Sequence, residues 1–311
     1  LIKVITDVVN PTIGQSIYDP AVGSCGFLIE AYNHIRYTDV QNNKQRDLST
    51  DQLKFLNEDT FFGNEKTPLS YVMGVMNMIL HGVESPNISK SNTLTKDIRG
   101  LEEKDRFDCI LANPPFGGKE KEQIQQNFPI KSNATELLFL QHMMNSLKLQ
   151  GRCGVVIPEG VLFQTNNAFQ AVKKDLCERF NVHTILSLPS GVFLPYSGVK
   201  TNVIFFDRNG STSDIFYYEV NPSSKLTKNK PINNSHFEEF LDVWKDRKIT
   251  DNSWIVNINE IKDFDISAKN PNRNDVIEHK SPIELVENIK LNNAEINDLM
   301  DEIETILIGK D

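Results

Sequence analysis

Short apolar runs and amphipathic stretches alternate along the first 220 residues. Strand-like runs stand at 17–19, 60–64, 107–112, 154–157, 182–188, 202–207 and 215–220. Between them, apolar positions recur at helical spacing over 27–37, 68–81, 135–149 and 168–180. The alternation predicts an α/β architecture: a doubly wound, mainly parallel sheet of seven strands with helices on both faces. A short polar turn, not a helix, joins the last two runs, which makes one of them antiparallel. An apolar helix over 1–9 precedes the first strand.

Beyond residue 221 the pattern changes. Asn, Ser and Lys dominate 221–235, and only the segments around 237–244 and 254–261 look structured before a final helix. That helix starts clearly, with Ser281 as N-cap, Pro282 at the first helical position and Glu284 closing a capping box. Leu285, Ile289, Ile296, Leu299, Ile303 and Ile306 then form a heptad-like seam broken by Asn292. Such a seam fits either a partner helix or the chain's own domain. The organisation expected is a domain at 1–221, a polar linker with small elements at 222–280, and a C-terminal helix for assembly at 281–308.

Composition narrows the class. Hydrophobic residues make up 39% of 311, enough for one large core, and no run is long and apolar enough to span a membrane. With no signal peptide in view, the chain reads as a cytoplasmic protein. Cys25, Cys109, Cys153 and Cys177 are scattered and read as reduced core residues; with six histidines that also lack ligand spacing, no metal site is expected. A formal net charge of −9 argues against strong autonomous binding to a polyanion.

Three strand ends carry candidate chemistry. The run 107–112 stops at Asn113-Pro114-Pro115-Phe116, where two prolines cannot continue a strand and must form a rigid turn. In an open α/β sheet, ligands bind at that edge. Asn113 offers a side-chain carbonyl and Pro114 a backbone carbonyl with no N–H to compete. Two such acceptors suit a planar, poorly nucleophilic amino group, which they can draw toward a reactive geometry; Phe116 offers a face for a base. Upstream, Asp19 stands at the tip of the first strand. A glycine-bearing turn (Gly23, Ser24, Gly26) leads from it into a helix whose amino terminus supplies unsatisfied donors. Glu65 ends the second strand, placed to accept both hydroxyls of a ribose. The long spacing from Gly26 to Glu65 requires a polar insertion, placed at 37–57.

These motifs, in this order, resemble those of the amino-methyltransferases that use S-adenosylmethionine. Within them the chain is similar to the modification subunit of type I restriction-modification systems, which methylates adenine at N6 in DNA. Residues 19–28 match the cofactor loop, which implies cofactor contacts from Asp19, Pro20, Gly23, Ser24, Gly26, Phe27 and Leu28. Gly63-Asn64-Glu65 matches the ribose-binding strand end, and Asn92-Thr93-Leu94 the strand end near the cofactor's adenine. Asn113-Pro114-Pro115-Phe116 matches the catalytic loop, with Asn113 also beside the cofactor. The stretches 136–140, 151–163 and 188–193 look like this subunit's later motifs.

The resemblance implies a Rossmann-like methyltransferase sheet with a C-terminal helical extension. Its implied partners are DNA, a specificity subunit flanked by two modification subunits, and a restriction subunit. It also implies a helical domain ahead of Leu1, so the chain reads as a fragment. The chain beyond residue 210 is too short to read a long DNA site, which fits a separate specificity subunit. A local basic patch for DNA could use Lys119, Lys121, Lys225, Lys228 and Lys230.

Three departures stand out: Val22 and Cys25 where the family often has Cys and Gly, and Asn92 where an acid is frequent, with Asp97 a substitute. Two other readings are a glutamine-amide or RNA amino-methyltransferase with a similar turn, and a degenerate scaffold subunit with a weakened cofactor loop at Cys25.

Overall fold

From Phe107 to Ala112 one strand serves two cores. Ile110 and Ala112 pack into the cluster on one side of the sheet, Cys109 and Leu111 into the cluster on the other. A strand covered on both faces has no polar side, so the run is apolar where a half-exposed strand would alternate.

The computed structural model describes residues 1–272 except Lys225 and Ala268, together with Lys290, Asn292, Asn293, Ile296, Asn297, Leu299, Met300 and Ile303. The chain divides into two units, Leu1–Asn272 and Arg273–Asp311. In the second, the described residues are helical; the rest of the helix expected over 281–308 lies outside the described residues.

The first unit opens with α1 (Ile2–Val9), β1 (Ile17–Asp19) and α2 (Gly26–Arg36). The expected insertion comes next as a hairpin, β2 (Tyr37–Asp39) and β3 (Lys44–Gln45), and α3 (Thr50–Glu58), which a Ser49–Gln52 capping box starts. After it stand β4 (Phe61–Glu65), α4 (Pro68–Leu80), β5 (Asn87–Lys90), β6 (Phe107–Ala112), α5 (Glu122–Gln125) and α6 (Thr135–Asn145). The second half holds β7 (Leu147–Pro158), α7 (Glu159–Phe163), α8 (Asn167–Arg179), β8 (Asn181–Ser187), β9 (Thr201–Asp207), β10 (Asp214–Glu219), α9 (Glu238–Val243) and β11 (Ser253–Asn257).

Among the described residues nine strands form one sheet in the order β11-β10-β8-β9-β7-β6-β1-β4-β5. The hydrophobic pattern predicts seven, and the structure corrects it twice. β5 escapes the pattern because it is a four-residue edge strand with a single buried side chain, Ile88, too little to show a period. β11 escapes it because the strand sits in a polar stretch and pairs only with β10, antiparallel. Its Trp254 stacks on Tyr217 of β10 at 5.3 Å, so this part of the 222–280 stretch belongs to the sheet.

β9 is antiparallel to both its neighbours, β7 and β8, as the short turn after it requires. Apart from β10 with β11, the remaining pairs of this sheet are parallel. Helices α6 and α8 supply one core, and α1, α2 and α9 the other. Register places Asp19 beside Gly63, which brings the ends of β1 and β4 to one edge.

Candidate active site

The strand ends at that edge are laced together by backbone and side-chain hydrogen bonds. Val22 N–H donates to the Asn64 carbonyl at 3.1 Å, and Gly23 N–H donates to Glu65 Oε2 at 3.0 Å. Glu65 Oε1 accepts from Thr67 N–H at 2.7 Å. Thr93 Oγ1 donates to the Pro20 carbonyl at 2.5 Å, tying the turn after β5 to the turn after β1. The turns can approach this closely because residue 63 is glycine: a Cβ there would overlap Val22 Cγ1 and lie 3.0 Å from the Asp19 carbonyl.

The turn itself is left-handed at two positions, Gly23 (φ 52°) and Cys25 (φ 62°). A side chain at φ > 0 costs roughly 1–2 kcal/mol, and Cys25 nonetheless adopts the conformation, its N–H donating to the Val22 carbonyl at 2.7 Å. Burial pushes its thiol up to about 12, so it stays neutral. Asp19 lies just beneath, 2% exposed, accepting from Ala21 N–H at 2.9 Å. Burial raises its carboxyl to about 7; the Ala21 bond opposes the rise and the Glu65 charge adds to it.

Two cavities meet at Asn113. One, about 500 Å³, is lined by Pro20, Glu65, Asn92, Thr93, Leu94, Asn113 and Pro115 among the residues the sequence singles out. Phe139, from the 136–140 motif, lines it too, as do Lys66, Thr67, Ser91, Gly118 and Glu120, which no sequence signal marks. The other, about 440 Å³, is lined by Phe27, Asn113, Val156, Val192 and Phe193, with Ile2 and Ile232. Among the described residues Asn113 alone lies on both walls, and it is exposed. Pro114 is buried, Pro115 exposed and Phe116 half-buried. The Phe116 ring meets that of Phe193 edge-to-face, centroids 6.2 Å apart at 74°. In the sequence Phe193 is visible only as part of a motif; its place opposite Phe116 depends on a contact 77 positions away (193 − 116), which no local signal carries.

The remaining residues of the loop motif frame the site rather than line either cavity. Gly23, Ser24 and Gly26 make the turn, and Leu28 is fully buried in the core beneath it. The segment after Phe116 is pinned back: Thr135 N–H donates to the Gly118 carbonyl at 3.2 Å, and a Cβ at Gly118 would overlap Thr135 Oγ1. A third cavity, about 850 Å³, is lined by Tyr18, Phe62, Phe107, Asp108 and His142 among others and shares Asn64, Ser91, Asn92 and Thr93 with the first. In its wall Tyr18 OH donates to Asn64 Oδ1 at 2.7 Å and sits 3.0 Å from His142 Nε2, whose ring burial holds at about 3, and therefore neutral.

Among the described residues no cluster of His, Cys, Asp or Glu could hold a metal ion, and no helix is long and apolar enough to cross a membrane. Lys119, Lys121, Lys228 and Lys230 are exposed; Lys225 lies outside the described residues.

Strand order, with the antiparallel β9 inserted between β7 and β8, and turns gathered at one edge define the fold of S-adenosylmethionine-dependent methyltransferases. The chain belongs to the N-6 DNA methylase family, whose model matches residues 1–281. It is 35% identical over 314 residues to the type I restriction enzyme EcoEI methylase subunit of Escherichia coli, across 96% of this chain and 62% of that one. A chain from a structure on complex assembly and conformational transition of the type I R-M system superposes with a TM-score of 0.81 at 43% identity, over 100% of this chain and 65% of its own. The type I restriction enzyme EcoKI M protein gives a TM-score of 0.69 at 32% identity, over 78% and 52%. This chain therefore spans 52% to 65% of the length of these relatives.

Proposed function

We infer that this chain transfers a methyl group from S-adenosylmethionine to N6 of adenine in DNA, as the modification subunit of a type I restriction-modification complex. The observation that carries the reading is Asn113, which among the described residues is the one shared by the two cavities. One cavity suits the donor and the other the target, so the acceptor sits where transfer must occur.

The residues present fit the cofactor. The cavity of about 500 Å³ has the Glu65 carboxylate on its wall; each oxygen already accepts one backbone N–H and keeps a lone pair for a ribose hydroxyl. Asn92, Thr93 and Leu94 share that wall, available to an adenine ring, and the turn from Asp19 to Gly26 leads to the methionine end, with Phe27 on the wall of the second cavity and Leu28 in the core beneath. When bound, S-adenosylmethionine supplies an electrophilic methyl carbon. Asn113 Oδ1 and the Pro114 carbonyl accept the two N–H bonds of the target amine and localise its lone pair toward that carbon. Pro115 keeps the acceptors preorganised, and Phe116 with Phe193 offers aromatic faces for a base that has left the duplex.

Cys25 does not argue for a degenerate scaffold, since it adopts the left-handed turn that glycine would. The family match over residues 1–281 sets aside the glutamine-amide and RNA readings. A net charge of −9 supports DNA binding borrowed from partners: a specificity subunit contacted through the 281–308 helix by two modification subunits, with a restriction subunit in the full complex.

The test is labelled methyl transfer to plasmid DNA by the full-length subunit, alone and with its co-purified partner, followed by digestion and nucleoside analysis. N6-methyladenine is expected with the partner present. Label in another nucleoside, or none with the complete complex, defeats the reading.

A further inference from the structure

Where β5 gives way to the next turn, the chain has little apolar hold. Between Ile88, the one buried side chain of the strand, and Leu94, buried in the core, stand Ser89, Lys90, Ser91, Asn92 and Thr93, all polar. Apolar packing cannot fix that bend, so hydrogen bonds must. Ser91 N–H donates to the Glu65 carbonyl at 3.0 Å, and its hydroxyl accepts from Asn64 Nδ2 at 2.6 Å. Asn64 Oδ1 in turn accepts from Tyr18 OH at 2.7 Å, and Tyr18 OH lies 3.0 Å from His142 Nε2.

A line of side chains therefore runs from α6 through β1 and β4 to the end of β5. Its inner end is rigid. Tyr18 is 5% exposed and His142 3%, and the Tyr18 ring stacks on Phe107 with centroids 4.3 Å apart at 15°. Its direction is fixed too. Asn64 Oδ1 only accepts, so it takes the phenolic proton, and His142 Nε2 must carry the hydrogen that faces Tyr18. A bare Nδ1 suits its surroundings, because that buried atom has no hydrogen-bond partner and a proton on it would be an unmet donor. Asn64 and Ser91 line both the cavity of about 500 Å³ and that of about 850 Å³, whereas Tyr18 and His142 line the second and not the first. Tyr18 thus reaches the first cavity only through Asn64.

We propose that Tyr18 is a positioning residue for the cofactor: through Asn64 and Ser91 it fixes the Ser91–Asn92 turn relative to Glu65, and with it the shape of the cavity that receives S-adenosylmethionine. The effect on binding rests on the reading of that cavity as the cofactor's; the relay of side chains does not.

Nuclear magnetic resonance of the ring nitrogens in the wild-type, ligand-free protein tests the relay at its root: His142 should carry its proton on Nε2. The Nδ1–H form would draw the Tyr18 proton away from Asn64 and overturn the relay. Calorimetry and kinetics test the consequence. Tyr18→Phe keeps the ring and its stack, yet should weaken S-adenosylmethionine binding about fivefold, the scale of one hydrogen bond, and speed hydrogen exchange of the Ser91 amide. Its methyl-transfer rate at saturating cofactor should stay at the wild-type value, because Asn113 and Pro114 are untouched. Ser91→Ala, at an exposed position, should weaken binding to a similar extent, and Ser91→Thr should restore it. The double variant, Tyr18→Phe with Ser91→Ala, should lose no more than the larger single loss. Wild-type affinity in Tyr18→Phe, or losses that add in the double variant, overturns the positioning role. Should Tyr18→Phe fail to fold, equal affinities of Ser91→Ala and Ser91→Thr overturn it. Failure of the wild-type protein to bind S-adenosylmethionine would count against the reading of the cavity and leave the histidine proton and the Ser91 exchange to decide the relay.

Discussion

The backbone amide of Gly23 donates to Glu65 Oε2 at 3.0 Å, so the carboxylate at the tip of β4 braces the turn after β1. On the proposed reading Glu65 also holds the ribose, so removing it disturbs two tasks. Glu65→Ala should weaken S-adenosylmethionine binding by about 1–3 kcal/mol, the scale of hydrogen bonds to a charged group, and lower the melting temperature of the ligand-free chain. Glu65→Gln keeps one acceptor oxygen and should fall between. Calorimetry and thermal melts separate the two effects; unchanged affinity in the alanine variant removes Glu65 from the site.

On the proposed reading, Asn113 acts on the target and not on the donor. Asn113→Ala should lower the methyl-transfer rate by about 10²-fold or more, as for loss of one preorganised group at a reacting centre, with S-adenosylmethionine affinity nearly unchanged. A variant that methylates DNA at the wild-type rate ends the assignment.

Phe116→Ala and Phe193→Ala should each weaken DNA engagement by about 1–3 kcal/mol if a base stacks there. Because the rings touch, the double variant should lose less than the sum. Additive losses in a binding titration would mean that the two rings serve separate contacts.

Asp19 predicts a pH dependence. Its carboxyl is raised from an ordinary 3.8 to about 7 in the folded, ligand-free chain. The folded state then holds a proton that the unfolded state releases, so this group's contribution to stability is full below about 4 and is lost as pH rises to about 7. A cationic ligand beside it favours the carboxylate. Binding of S-adenosylmethionine should accordingly release a proton and tighten as pH rises toward neutrality, by at most about tenfold per unit. Titrations in buffers of different ionisation enthalpy measure that proton, and Asp19→Asn should abolish it; a flat pH profile in the wild type contradicts the role.

Ile296 is helical and lies on the apolar seam expected to pair with the specificity subunit. Ile296→Lys should prevent co-purification and eliminate methylation while the catalytic domain still binds cofactor. A drop of many degrees in the melting temperature of the isolated chain would instead mark a helix packed on its own domain.

The strand-end turns are legible in the sequence because each is a local event: a proline pair, a glycine turn, an acid closing an apolar run. Asn113, Glu65, Asn92 and Pro20 come together around one cavity as those turns require. Less visible is whatever depends on distant packing. Phe27, read with the cofactor loop, faces the second cavity, because the helix that begins at Gly26 turns its ring away from the first. Gly118 and Gly74 look like ordinary loop and helix residues until Thr135 and Cys25 are placed beside them. Edge strand β5 escapes notice because three of its four side chains face solvent.

The reversed direction of β9 has a consequence for how this protein can change. Thr201, where β9 begins, pairs with Pro158 at the end of β7, and Asn202 with Ser187 at the end of β8. The chain from 188 to 200, with Phe193 on it, thus departs from and re-enters the sheet at one edge, the edge that bears Asn113. Unlike a crossover, it has no far face to traverse and no helix to dock. The segment between those two anchor points can therefore vary in length and composition past Phe193 with the strands untouched, so the surface facing Asn113 can change while the framework is kept.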